Sequence, residues 1–330
     1  MAKKKALIIG SNSFSGAHMI RKLLLEKFEI IGVSRSNQDL MDINFYKTIK
    51  KSKFKFYKID LNNNLQKIIS IIKKNKPQYI INFASQSMVA ESWKKPEDWY
   101  LTNSLSTIKL YNSLNSLNYK KKLIHISTPE IYGSTKSFIK ENINYNPTTP
   151  YAASRVAAEH FLKILYKNFN FNYCSVRSSN VFGEYQKIYR IIPKTICAIL
   201  NKKKIMLEGN GASKRNFIYI EDVCDAIFKI MLFGKSGENF HISGKKIISI
   251  KELVKKICHM MNYSFNKLVI NTKERLGKDQ YYSLSSSKIR NELKWKENVG
   301  FENGLDKTIK SIKKNLLYLN KLDEIYIHKK

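Results

Sequence analysis

The chain has 330 residues, 43% of them hydrophobic, which allows a sizeable core and excludes a disordered chain. Its formal net charge of +33 rests on lysine: arginine occurs eight times, so lysine supplies 51 of the 59 cations, scattered in pairs and triples that read as a solvated surface rather than a nucleic-acid face. No apolar run reaches membrane-span length, and four widely spaced cysteines with no CxxC pair point to a reducing cytoplasm and no zinc or other metal site.

From the N-terminus, "ALIIG" (6–10) reads as a strand, not the core of a signal peptide, because the run is short and lacks a small-residue cleavage site. It passes directly into a turn of small residues, Gly10, Asn12, Ser13, Phe14, Ser15 and Gly16, and then into a helix over 16–27. Gly10, Ser13 and Gly16 recur at three-residue spacing. A strand–turn–helix of this kind lets a pyrophosphate approach the backbone and meet the free N–H groups of the helix start. Ser13 stands where a middle glycine is usual.

The second strand (29–34) ends in Ser34-Arg35-Ser36. An acid there would suit the adenosine ribose of NAD; a cation flanked by hydroxyls suits a 2′-phosphate, so the sequence favours NADP, with NAD as the alternative dinucleotide. The third strand (54–60) delivers Asp60 and Leu61 to the adenine edge. After a helix over 64–75, the fourth strand (79–84) delivers Phe83, Ala84 and Ser85 to the cofactor's path. A helix over 97–117, a fifth strand (122–127), a helix beginning at Pro150 and a strand over 172–177 follow. Apolar strands alternating with helices predict a Rossmann-type, doubly wound parallel sheet of the α/β class. Residues 1–180 are read as its dinucleotide-binding domain. Residues 181–330, with helices near 190–201, 221–233, 249–262 and 303–319, are read mainly as a smaller α/β substrate lobe, some segments returning to the sheet.

Two segments beyond the strand ends carry the chemistry: "HISTPEIYGS" (125–134) and "NPTTPYAASRVAAEH" (146–160). Tyr151 and Arg155 lie four residues apart on one helical face. With "QSMVAESWKKPEDWYLTNSLST" (86–107), "RSSNVFGEYQKIYRIIPKTI" (177–196), "KRNFIYIEDVCDAI" (214–227) and "RLGKDQYYSLSSSKIRNELKW" (275–295), they make the chain resemble the extended short-chain dehydrogenase/reductase family, and within it the nucleotide-sugar 4,6-dehydratases. The resemblance implies an NAD(P)-dependent enzyme acting on a nucleotide-diphosphate sugar of the GDP-mannose or dTDP-glucose type, working as a homodimer or homotetramer. Epimerisation or decarboxylation on the same fold, and a catalytically silent NADP-binding protein, are the alternatives.

The same resemblance assigns roles. Tyr151 takes the proton of the sugar C4 hydroxyl, Thr128 hydrogen-bonds that oxygen, and Glu130 removes the C5 proton. Arg155 stands where the family places lysine; it supplies the charge that lowers the phenol's pKa and can reach the nicotinamide ribose. Pro129 replaces an acid found in one branch, leaving a single carboxylate. Asn103 is assigned to the cofactor; Ser87, Asn180, Arg190, Arg215 and Arg275 to the sugar and diphosphate, where guanidinium forks grip better than ammonium groups. His125, inside an apolar strand, is read as core.

Overall fold

A computed structural model describes residues 4–38, 53–135, 137–273 and 281–328. Seven parallel strands form the main sheet: β1 (Lys5–Ile9), β2 (Glu29–Ser34), β3 (Phe54–Lys58), β4 (Tyr79–Asn82), β5 (Lys122–Ile126), β6 (Tyr173–Ser178) and β7 (Glu238–Ile242). Their order is β7-β6-β5-β4-β1-β2-β3. The inner strands are nearly continuously buried, as a sheet covered on both faces requires, whereas β3 is only half-buried and forms an edge. Chain order runs outward from β1 in both directions, through β2 and β3 on one side and β4 onward on the other. The crevice between β1 and β4 is therefore the switch point at which an open α/β sheet binds its ligand.

The helices that cover the sheet start at the strand ends facing this crevice. They include α1 (Phe14–Leu25), α2 (Leu65–Asn75), α3 (Thr107–Asn115) and α4 (Pro150–Phe169). The helix expected over 97–117 is not regular. A short turn, Pro96–Trp99, passes into a wide π-turn, Tyr100–Ser106, before α3 begins. Such widened turns occur mostly at functional sites.

Further along lie α5 (Ile191–Leu200), α6 (Ile220–Phe233), α7 (Ile250–Met260) and α8 (Phe301–Leu319). α6 packs on α1 and the main sheet, while α7 and α8 pack against a second sheet whose path runs Ile247–Ser249, Lys214–Tyr219, Tyr281–Leu284 and Phe138–Ile139, with Asn180–Phe182 also paired to Lys214–Tyr219. One strand of the small sheet thus comes from the first half of the chain, and β7 of the main sheet from the second half. The carboxylate of Asp222, fully buried at the start of α6, accepts from the backbone N–H groups of Asn298, Val299 and Gly300 and so pins the start of α8. Among the described residues no helix is long and apolar enough to cross a membrane.

Candidate active site

The turn after β1 is built for close backbone approach. Gly10 has φ +80°, and a Cβ there would stand 2.7 Å from the Ala84 nitrogen, so any side chain would push β1 and the β4 loop apart. A Cβ on Gly16 would stand 2.3 Å from the Gly10 carbonyl oxygen. Ser13 caps α1, its hydroxyl accepting from the Gly16 N–H at 3.0 Å, which explains why serine serves at the position of the usual middle glycine. Asn12 donates through Nδ2 to the Ser36 carbonyl at 2.8 Å and ties the turn to the end of β2, where Ser34 and Arg35 sit half-buried. Phe14 and Ser15 open α1 beside them.

Asp60 accepts from the Asn62 N–H at 2.7 Å, closing its own turn, and Leu61 is buried under the sheet. Phe83 is buried, and Ala84 and Ser85 line the loop that abuts Gly10. Asn103, expected at the cofactor, has its own partners in the fold. It is fully buried on the π-turn, and its amide is spent within the protein. Oδ1 accepts from the Gln86 N–H at 2.9 Å, while Nδ2 donates to the Gln86 carbonyl at 3.0 Å and to Ser154 Oγ at 3.0 Å. It clamps the β4 loop to α4 instead of facing a cofactor.

The catalytic candidates converge where β5 ends and α4 begins. Thr149 caps α4, accepting from the Ala152 N–H at 3.1 Å, and Pro150 occupies the first helical position, where its missing N–H costs nothing. Tyr151 therefore sits in the first turn, with Arg155 one turn on; both are buried. After β5, Pro129 opens a short turn that brings Glu130 back onto Thr128, whose hydroxyl donates to Glu130 Oε2. Thr128 also hydrogen-bonds the Tyr151 phenol. Arg155 Nη2 donates to the Ile126 carbonyl, while its Nε and Nη1, fully buried, have no hydrogen-bond partner.

Burial raises the Tyr151 pKa above that of a free phenol, and the Glu130 charge raises it further; Arg155, the Thr128 hydrogen bond and Arg190 pull the other way. In the protein alone the phenol keeps its proton. His125 is buried in β5, and its Nδ1 lies 2.5 Å from the Tyr111 hydroxyl, which accepts from Asn82 Nδ2 at 3.0 Å. Burial, with the neighbouring Arg155 charge, pushes the imidazole down to about 3, so it is neutral at working pH.

These features fit a nicotinamide dinucleotide: a glycine cradle at a switch point, a helix start beside it, and two buried guanidinium nitrogens without partners at the catalytic end. Among the described residues no cluster of His, Cys, Asp or Glu could hold a metal ion.

Across the crevice, Arg190 at the head of α5 donates through Nη2 to Ser87 Oγ at 3.4 Å, bringing together two residues separated by 103 positions. Asn180 pairs with Phe217, two residues beyond Arg215, so Asn180 and Arg215 share one face of the small sheet. Arg215 is largely buried and donates to the Lys214 carbonyl. Arg275 lies outside the described residues.

Sequence reasoning missed the support behind the tyrosine. Glu159 and Arg177 form a fully buried ion pair, Nε to Oε1 at 3.0 Å, joined by the hydroxyls of Tyr132 and Tyr145. The signal was available. Glu159 continues the 151–155 spacing by one more turn, placing a carboxylate on a face already carrying two polar groups.

A family model described as GDP-mannose 4,6 dehydratase matches residues 7–308. The chain is 30% identical to a dTDP-D-glucose 4,6-dehydratase of Dictyostelium discoideum, covering 96% of this chain and 83% of that protein. It is 28% identical to a dTDP-glucose 4,6-dehydratase of Haemophilus influenzae, covering 92% and 96%. Among solved structures, a dTDP-glucose 4,6-dehydratase of Bacillus anthracis in complex with NAD superposes with a TM-score of 0.84 at 25% identity, covering 96% of this chain and 98% of that one.

Proposed function

We infer, from the premise that the chain belongs to the GDP-mannose 4,6-dehydratase family, that it removes water across C5–C6 of a nucleotide-diphosphate hexose, with dTDP-glucose as the substrate type. The single observation that carries the reading is the convergence of Thr128, Glu130, Tyr151 and Arg155 at one end of the β1/β4 crevice. The relatives named for dTDP-glucose support the choice of nucleotide.

Tyr151 takes the proton of the C4 hydroxyl at its phenolic oxygen, and Thr128 holds that oxygen in line. Arg155 stabilises the phenolate as a permanent cation and offers its two free nitrogens to the ribose of the dinucleotide. A dinucleotide bound beside Tyr151 and Arg155 would supply the oxidised nicotinamide ring as the hydride carrier of the reaction. Once C4 is a ketone the C5 proton is acidified, and Glu130 takes it as the C6 hydroxyl leaves; with Pro129 in the neighbouring position, Glu130 or a water also protonates that hydroxyl. Arg190 with Ser87, and Asn180 with Arg215, hold the diphosphate and sugar. Epimerisation at C4 would need the tyrosine and the hydroxyl but give Glu130 nothing to do.

Gly10, Ser13, Gly16 and Arg155 would hold the dinucleotide. The Bacillus anthracis neighbour, solved with NAD, favours NAD over the NADP suggested by Ser34-Arg35-Ser36. The described cysteines are all free, which suits the cytoplasm. Exposed Leu101 and Leu105 on the π-turn and Ile164 on α4 support a homodimer or homotetramer through this helical face. Incubation with dTDP-glucose and mass spectrometry tests the reading: loss of one water with uptake of one solvent deuterium at C5 supports it, and an unchanged mass contradicts it.

A further inference from the structure

Beyond α8 the described residues have no regular structure, yet residues 324–328 are held by side-chain contacts. From Ile325 on the side chains alternate: Ile325 and Ile327 face out, while Tyr326 and His328 turn inward. His328 Nε2 lies 2.7 Å from Asp98 Oδ2, and its ring stacks on the buried Trp99 at 4.9 Å between centroids and 17° between planes. The Tyr326 hydroxyl donates to Gln86 Oε1 at 3.3 Å, and its ring meets Tyr189 edge-on at 5.6 Å. Lys203 and Glu324 pair at 2.6 Å, an exposed contact that contributes little.

The inward partners lie on the segments that follow β4 or on the residue before Arg190. Gln86 lies two residues past Ala84, which abuts Gly10 of the phosphate turn, and Asn103 fixes its backbone. Asp98 and Trp99 precede the same π-turn. Tyr189 adjoins Arg190 on the substrate side. Through Gln86, which follows the β4 loop, and Tyr189, which precedes Arg190, Tyr326 stands between the cofactor side and the substrate side of one opening.

We propose that residues 324–328 form a strap across the mouth of the dinucleotide crevice, latched by His328 on Asp98 and Trp99, with Tyr326 as the wall residue that retains the dinucleotide. The proposal rests on the dehydratase reading, which supplies its physical sense. A dehydratase returns its dinucleotide to the starting oxidation state in each turnover, so exchange is not needed and a strap that slows release costs no turnover. Ordered aromatic and charge-assisted contacts are suited to that task.

The test uses the full chain and its Tyr326→Ala and His328→Ala variants, loaded with labelled NAD and chased with unlabelled NAD. Release is expected to be about tenfold faster in each variant, the loss of one well-ordered contact. Leu317→Ala, on the exposed face of α8, serves as the control and should match the parent. In the absence of NAD, chymotrypsin should cut after Tyr326 faster in His328→Ala than in the parent. A parent that holds NAD with release unmoved by the variants, or variants that bind NAD more tightly, overturns the strap alone. Equal cleavage of parent and His328→Ala overturns the latch. A parent that holds no NAD overturns both the strap and the dehydratase reading.

Discussion

At the scale of single residues the chemistry depends on a phenol that burial works against. Tyr151 is held protonated by desolvation and by Glu130, and Arg155 is the nearest fixed opposition. Tyr151→Phe should lower turnover by about 10²–10⁴, the usual contribution of a positioned acid–base group. Arg155→Met removes a cation that lowers the phenol's pKa, so the rising limb of the pH–rate profile should move to higher pH. Arg155→Lys restores a cation at neutral pH and should restore the parent limb. A pH–rate profile of dehydration checks both; an unmoved limb in Arg155→Met would contradict the role given to the guanidinium. Glu130→Gln should retain oxidation at C4, read as the absorbance of reduced nicotinamide that persists after substrate is added, and lose dehydration, read by mass spectrometry of the sugar nucleotide. Tyr151 and Arg155 stand out in the sequence as candidates through their helical spacing behind Pro150, whereas Thr128 and Glu130 are candidates through the family resemblance of the segment after β5. Nothing in the one-dimensional pattern tells a buried amide that grips backbone, as Asn103 does, from one that grips a ligand.

At the scale of elements, α4 positions the tyrosine only as well as it is anchored. Its anchor is the buried Glu159–Arg177 pair, which crosses from the helix to β6. Burial opposes ionisation of Glu159, but the Arg177 charge and hydrogen bonds outweigh it and hold the carboxyl well below the usual range. Arg177→Met leaves that carboxylate buried and uncompensated, and should cost ~3–5 kcal/mol in urea unfolding at neutral pH. In the parent the depressed Glu159 contributes stability that is complete above the unfolded carboxylate pKa and lost as pH falls through the folded value. Without Arg177 the same group prefers its proton. The difference between parent and variant should therefore narrow as pH falls below the ordinary carboxylate range, and a constant difference would contradict the linkage. The alternation of apolar strands and helices made the sheet legible. The π-turn Tyr100–Ser106 was not, because its cause is tertiary: Asn103 must reach both Gln86 and Ser154, and a regular helix over the same residues carries no different apolar period.

At the scale of the molecule, the lysine surface surrounds a site for a dianionic substrate. The resulting attraction should be long-ranged and screened, so kcat/KM should fall as ionic strength rises while kcat stays nearly constant. The exposed leucines of the π-turn give a second expectation at this scale. Sedimentation should show an oligomer, and Leu101→Glu with Leu105→Glu should shift it toward the monomer. The strap over 324–328 escaped the sequence reading because a short polar tail after a final helix carries no periodicity long enough to place it; only the folded chain brings His328 to Asp98 across 230 residues.

The whole account stands on one transfer within one sugar, organised by Tyr151 and Glu130 in the β1/β4 crevice. The most direct measurement follows dTDP-glucose carrying deuterium at C4. The predicted product has lost one water and carries that deuterium in its C6 methyl group. Deuterium found still at C4 of a product of unchanged mass, or washed out into solvent, would contradict it.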